Sequence, residues 1–109
     1  MSVRRTYNIG TLDLTFEWSP DKEAANLRKH GVGFFEAVGV FGDPNGVLIA
    51  DPDHSDDDED RYLLFGLGSV PQLLAVVHCY REDDSVIRII SVRKATRNEQ
   101  RSYRQPEEP

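Results

Sequence analysis

Residues 61–92 read RYLLFGLGSVPQLLAVVHCYREDDSVIRIISV. Three apolar runs rich in β-forming residues, 61–67, 72–80 and 86–92, stand in this stretch. Two short polar links separate them, Gly68-Ser69-Val70-Pro71 and Glu82-Asp83-Asp84-Ser85. Links this short join neighbouring strands by tight turns, so the stretch predicts an antiparallel sheet. His78 and Tyr80 are two apart and share one strand face, and Cys79 points to the other.

Working outward, Val47–Ala50 predicts another short strand, preceded by the turn Asp43-Pro44-Asn45-Gly46. Phe34, Val38 and Phe41 recur at helical spacing and predict a short helix over 34–41. Ser19-Pro20-Asp21 starts an earlier helix, with serine as N-cap, proline in the first turn and an acid at the positive helix end. Gly31 ends it after His30. Before it, Leu12, Leu14 and Phe16 alternate with polar residues and predict a half-buried strand. Residues 94–105 predict a polar, arginine-rich helix. Residues 1–11 show no clear period and are expected to be a loose arm, and 106–109 a tail. The reading is one α+β domain over 12–105, ordered β-α-α-β-β-β-β-α, with helices on one sheet face and the other face open.

The net charge of −6 is concentrated. Seven acids lie between Asp51 and Asp60, and without them twelve acids face thirteen bases. Such a run is expected to be an exposed loop, since like charges repel and resist burial. From Arg88 to Arg104 there are six bases and one acid, Glu99. That stretch is either a solvated face or a surface for a polyanion. His54 and its aspartates fit a calcium loop poorly, with Asp56 where the turn wants glycine and Tyr62 where the loop wants glutamate. A nonspecific divalent ion on this run is another reading, beside contact with a basic stretch of a protein partner. The lone Cys79 permits no internal disulfide and fits a reducing compartment. No run is long enough to span a bilayer, and no apolar leader follows the basic start, so the expected location is the cytoplasm.

Several segments in order resemble one family. Phe16-Glu17-Trp18-Ser19-Pro20-Asp21-Lys22, Asn26 and Lys29-His30-Gly31-Val32 resemble the opening signature of the BrnT family of type II toxins. Phe41-Gly42-Asp43-Pro44 and Asp51-Pro52-Asp53-His54-Ser55 with Arg61 are similar to its middle segments. Residues 76–81 and 88–96 are similar to its closing signature, with Glu99 and Tyr103 fitting the last helix. Ser19 replaces the family's usual aspartate while keeping the capping role, and Cys79 stands where threonine is common.

The resemblance implies a RelE-like curved antiparallel sheet of about four to five strands. Two N-terminal helices would pack on one face, followed by a C-terminal helix. It implies a metal-independent endoribonuclease that arrests translation and needs no cofactor. It also implies a DNA-binding, BrnA-like antitoxin, with operator DNA bound only through the complex. The rival reading is a toxin-fold interaction module without catalysis, acting as a co-repressor with its antitoxin.

Metal-free RNA cleavage needs a base for the 2′-hydroxyl, a proton for the 5′-oxygen and fixed cations for the phosphorane. The candidate catalytic residues are Arg61, His78, Tyr80, Arg81 and Arg93, of which Arg61, His78, Arg81 and Arg93 are expected to converge on one sheet edge. Four of them also have a plainer reading. Arg61 neutralises the acidic run, His78 is a half-buried core residue, Arg81 pairs with the turn acids, and Arg93 caps the sheet. Arg88 and Arg93 are an odd number apart, so they face opposite sides unless a bulge intervenes. Lys22, Lys29 and His30 share a polar helix stripe with Asn26, opposite an apolar stripe containing Leu27. With Arg88 and Lys94 they are the candidate RNA-binding residues. No metal ligands are expected.

Overall fold

The local signals place α1 (Pro20–His30) as expected. Ser19 Oγ accepts a hydrogen bond from the Lys22 amide, and Gly31 takes the left-handed conformation (φ 74°) with its N–H on the Leu27 carbonyl. In the computed structural model, which describes residues 1–51, 60–69 and 71–104, the remaining elements are β1 (Val3–Ile9), β2 (Leu12–Trp18), α2 (Phe34–Val40), β3 (Val47–Ala50), β4 (Tyr62–Leu67), β5 (Leu73–Arg81), β6 (Val86–Lys94) and α3 (Arg97–Arg104). Most of the acidic run, including His54, and the tail 106–109 lie outside the described residues.

The expected N-terminal arm is a strand. β1 pairs antiparallel with β2 along its whole length, from Val3 opposite Trp18 to Ile9 opposite Leu12. Gly10, at φ 67°, supplies the left-handed residue of the intervening two-residue turn. Val3, Tyr7 and Ile9 lean on the core. Arg5 interrupts that alternation, which hides the period in the sequence.

The described residues therefore form six strands rather than four or five, in the order β1-β2-β6-β5-β4-β3. The sheet is mixed, not wholly antiparallel. β2 runs parallel to β6, with Thr15, Phe16 and Glu17 opposite Val86, Ile87 and Arg88. Short links dictate the antiparallel pairs β4–β5 and β5–β6, and β3 also pairs antiparallel with β4. No link constrains β2 and β6, which the rest of the chain separates.

α1 and α2 cover one sheet face. Phe16 and Trp18 from β2, Phe34, Ala37, Val38 and Val40 around α2, and Leu74, Val76, Ile87, Ile89 and Val92 from the central strands form the core. Phe16 and Phe34 are fully buried, and truncating either to alanine would cost about 3–5 kcal/mol. α1 does not present an apolar stripe to this core. Leu27 is 53% exposed, and the buried residue of the helix is Asn26. Asn26 donates to the carbonyls of Val32 and Val92 and accepts from the Val92 amide. It serves β6 as a neighbouring strand would, beyond the point where β2 departs.

Candidate functional site

Strand alternation decides which side chains reach the face opposite α1 and α2. Glu17 lies between the core residues Phe16 and Trp18, so it points away from the core. Register then places Arg4, Glu17, Arg88 and Cys79 side by side across β1, β2, β6 and β5. Tyr62 opposes His78, and the Asp51 amide bonds to the Arg61 carbonyl, so Arg61 extends this row beyond Cys79. Arg81, two residues after Cys79, faces the same way.

The arginines gather around one carboxylate. Glu17 Oε1 accepts from Arg4 at 2.8 Å, and Oε2 accepts from Arg88 at 2.8 Å. Arg81 Nε lies 3.7 Å from Glu17 Oε2. Arg4 also pairs with Glu82 at 2.6 Å, and Arg88 donates to Ser2 Oγ at 3.2 Å. Glu17 is only 8% exposed. Burial pushes its carboxyl up, but the bonds from Arg4 and Arg88 outweigh this and hold it below the usual carboxylate range. Glu82, Asp83 and Asp84, in the turn after Arg81, all take positive φ of 53–68°. This backbone is uncommon for residues other than glycine.

A bulge decides the fate of Arg93. His78 opposes Ile89, but Val77 opposes Ser91, so Ile90 is an extra residue in β6. Arg93 consequently opposes Ala75 and shares the face of Arg88. The condition set by their odd spacing is met. Arg93 is not aimed at Glu17, however. It grips Glu99 of α3 with both terminal nitrogens, at 2.7 and 3.0 Å, and this raises its pKa. Glu99 in turn forms a reciprocal cap with Thr96, accepting from its amide and donating its own amide to Thr96 Oγ1. Lys94 opposes Leu74 at the exposed end of β6, on the other face.

His78 and Tyr80 do not join the arginines, which corrects the expectation of one convergent edge. They stand on the helix-covered face, because their register parity is that of Leu74 and Val76. His78 is fully buried, with Nδ1 3.2 Å from the Val76 carbonyl and Nε2 3.2 Å from the Tyr80 hydroxyl. Its ring packs edge-on against Phe41, with centroids 4.9 Å apart. Burial pushes its pKa down to about 4 against a small opposing effect of Val76, so the ring is neutral at pH 7. Burial, with Tyr62 and Asp84 nearby, raises the Tyr80 hydroxyl.

The polar stripe of α1 borders the arginine face. Lys22, Asn26, Lys29 and His30 line an open cleft of about 280 Å³ with Ile90 and Ser91 of the bulge. Ser91 shares its face with Arg93, so the cleft opens toward that side. Arg4 and Glu17 were not among the sequence candidates. Arg4 lay in the presumed arm, and Glu17 read as an ordinary solvent-facing residue of an alternating strand.

The architecture and chain match known proteins. The family model described as ribonuclease toxin, BrnT, of type II toxin–antitoxin system matches residues 18–99. No curated protein matches the chain. A crystal structure of the Brucella abortus ribonuclease toxin BrnT is similar in fold. It has a TM-score of 0.52 and 21% identity, covering 73% of this chain and 94% of that one. With a family model spanning most of its length, the chain belongs to the BrnT family of ribonuclease toxins of type II toxin–antitoxin systems.

Proposed function

We propose that the protein is a metal-independent endoribonuclease that arrests translation in the cytoplasm by cutting RNA on the arginine-rich sheet face, in the manner of RelE-like toxins. The observation that carries this reading is the convergence of Arg4, Arg81 and Arg88 on Glu17, with Arg61 in the same row. Guanidinium forks bind phosphate oxygens in pairs and stay charged at every working pH. Fixed on adjacent strands, they stabilise the extra charge of a phosphorane without reorganising. Lys22, Lys29 and His30 extend the interface along the cleft beside Ser91. His78 and Tyr80 are assigned to the core, and Arg93 to anchoring α3.

Incubating the purified protein with single-stranded RNA in EDTA tests the reading. Wild type is expected to cleave, and Arg81→Ala to lose roughly 10²–10³-fold in rate. An inert wild type would sink it.

The partner in this reading is a DNA-binding, BrnA-like antitoxin that blocks the toxin and carries it to operator DNA. The outer strand β3 favours the rival, purely binding reading. Leu48 is 52% and Ile49 44% exposed there, and such an edge can accept a partner strand. A tight antitoxin complex from a protein that leaves every RNA intact would favour the rival.

A further inference from the structure

Glu17 is an unusual residue for its position. The face opposite the helices asks only for something polar between Phe16 and Trp18, and an exposed threonine would serve. Instead a carboxylate is nearly withdrawn from solvent and held by two arginines, with a third close by. We propose that the Glu17 carboxylate is the general base that takes the 2′-hydroxyl proton when RNA is cut on this face. The proposal rests on the ribonuclease reading above and adds to it the identity of one catalytic residue.

Three observations carry it. Position is the first. Arg88 donates to Glu17 Oε2 through Nη1, and Arg81 Nε lies 3.7 Å from the same oxygen, so a phosphate bound by Arg88 Nη2 sits beside this carboxylate. In RNA the attacking 2′-hydroxyl neighbours the reacting phosphate, so the base must stand next to the phosphate site. Capacity is the second. Among the described residues each oxygen of Glu17 accepts one hydrogen bond, and a carboxylate oxygen accepts two. Charge is the third. Arg4 of β1, Arg81 of β5 and Arg88 of β6 face Glu17, while Glu82 reaches the cluster through Arg4. Guanidinium groups from three strands thus surround the carboxylate, and such groups bind phosphate oxygens. The imidazole and phenol of His78 and Tyr80 are on the far side of the sheet and cannot take this role.

The step balances as follows. The 2′-oxygen forms a bond to the adjacent phosphorus, and its proton passes to Glu17. The bond from phosphorus to the 5′-oxygen breaks, and that oxygen takes a proton from water. The hydroxide left behind takes the proton from Glu17 and restores the carboxylate. The products are a 2′,3′-cyclic phosphate and a 5′-hydroxyl.

The test uses single-stranded RNA in EDTA and, for binding, a 2′-deoxy oligonucleotide of the same sequence. Glu17→Gln is expected to cut RNA 10²–10⁴-fold more slowly. It is expected to bind the deoxy strand at least as tightly as wild type, because a negative charge has gone. The acid limb of the wild-type pH–rate profile should vanish in this variant. Glu17→Asp keeps the charge that holds the arginines. It is expected to fold, to keep the acid limb and to be slower by roughly 10²-fold, since the carboxylate is drawn back from the reacting atom. Glu17→Gln within tenfold of wild type, or Glu17→Asp at the wild-type rate, would overturn the proposal. So would parallel losses of cleavage and of deoxy-strand binding, which mark a structural role. A wild type that cleaves nothing overturns the ribonuclease reading itself, whereas active wild type with active Glu17→Gln removes only the base.

Discussion

Asn26 and Val92 are joined by two hydrogen bonds across 66 residues of sequence, Nδ2 to the Val92 carbonyl at 2.8 Å and the Val92 amide to Oδ1 at 3.1 Å. One side chain closes the edge of β6 where β2 has turned away, and it ties α1 to the middle of the sheet. The helix then needs no apolar stripe, and its polar residues are left facing the cleft.

Asn26→Ala would orphan buried backbone groups of Val92 and Val32. Each such group costs about 1–3 kcal/mol, so a loss of roughly 3 kcal/mol or more is expected. Asn26→Asp would do nearly as much harm, because it replaces a donor facing two carbonyls by an acceptor. Chemical denaturation checks both, and a change under about 1 kcal/mol would show that α1 holds β6 by other means.

His78 gives the fold an acid-sensitive point. Its folded pKa of about 4 lies below the ordinary 6.5, so the unfolded chain binds the proton more readily. Stability is therefore complete above pH 6.5 and falls as the pH drops toward 4, by up to about 3 kcal/mol. Glu17, Asp43 and Glu99 are all held below the usual carboxylate range, so their contributions disappear only at lower pH. Between pH 6.5 and 5 the slope of unfolding free energy should belong to His78. His78→Phe, which keeps the ring against Phe41, is expected to flatten it. An unchanged slope would assign it elsewhere.

The lysines of α1 are expected to contribute by charge alone. Lys22→Ala and Lys29→Ala should weaken binding of a single-stranded oligonucleotide evenly across sequences. Each should reduce the slope of log affinity against log salt by about 0.7. Titrations at several salt concentrations read this directly. A slope that does not move would place the nucleic acid away from this cleft.

Local chemistry was legible in the sequence, and long-range pairing was not. Ser19, Pro20 and Gly31 set the bounds of α1 because capping involves atoms a few residues apart. The short links around 61–92 revealed three strands because they allow little else. β1 stayed hidden because Arg5 spoils its alternation. The parallel match of β2 with β6 stayed hidden because no link reports it. Of the candidate site, Arg61 and Arg81 stand out in the sequence as catalytic candidates and Arg88 as an RNA-binding one, whereas Glu17 acquires meaning only when β1 and β6 flank it. His78 and Tyr80 were correctly placed on one face of their strand. Which face that is depends on where α2 lands, and spacing along one strand does not reveal it.

The extra residue at Ile90 divides β6 into two phases. Up to Ile89 the odd-numbered side chains are in the core, and from Ser91 onward the even-numbered Val92 is. A single strand thus hands two arginines to one side and keeps Ile87, Ile89 and Val92 on the other. Removing one residue there would do more than shorten the strand. It would exchange inside for outside along its last turns of alternation, driving Arg93 toward the core and Val92 into solvent. The sidedness of this protein is a matter of counting, and Ile90 is where the count is reset.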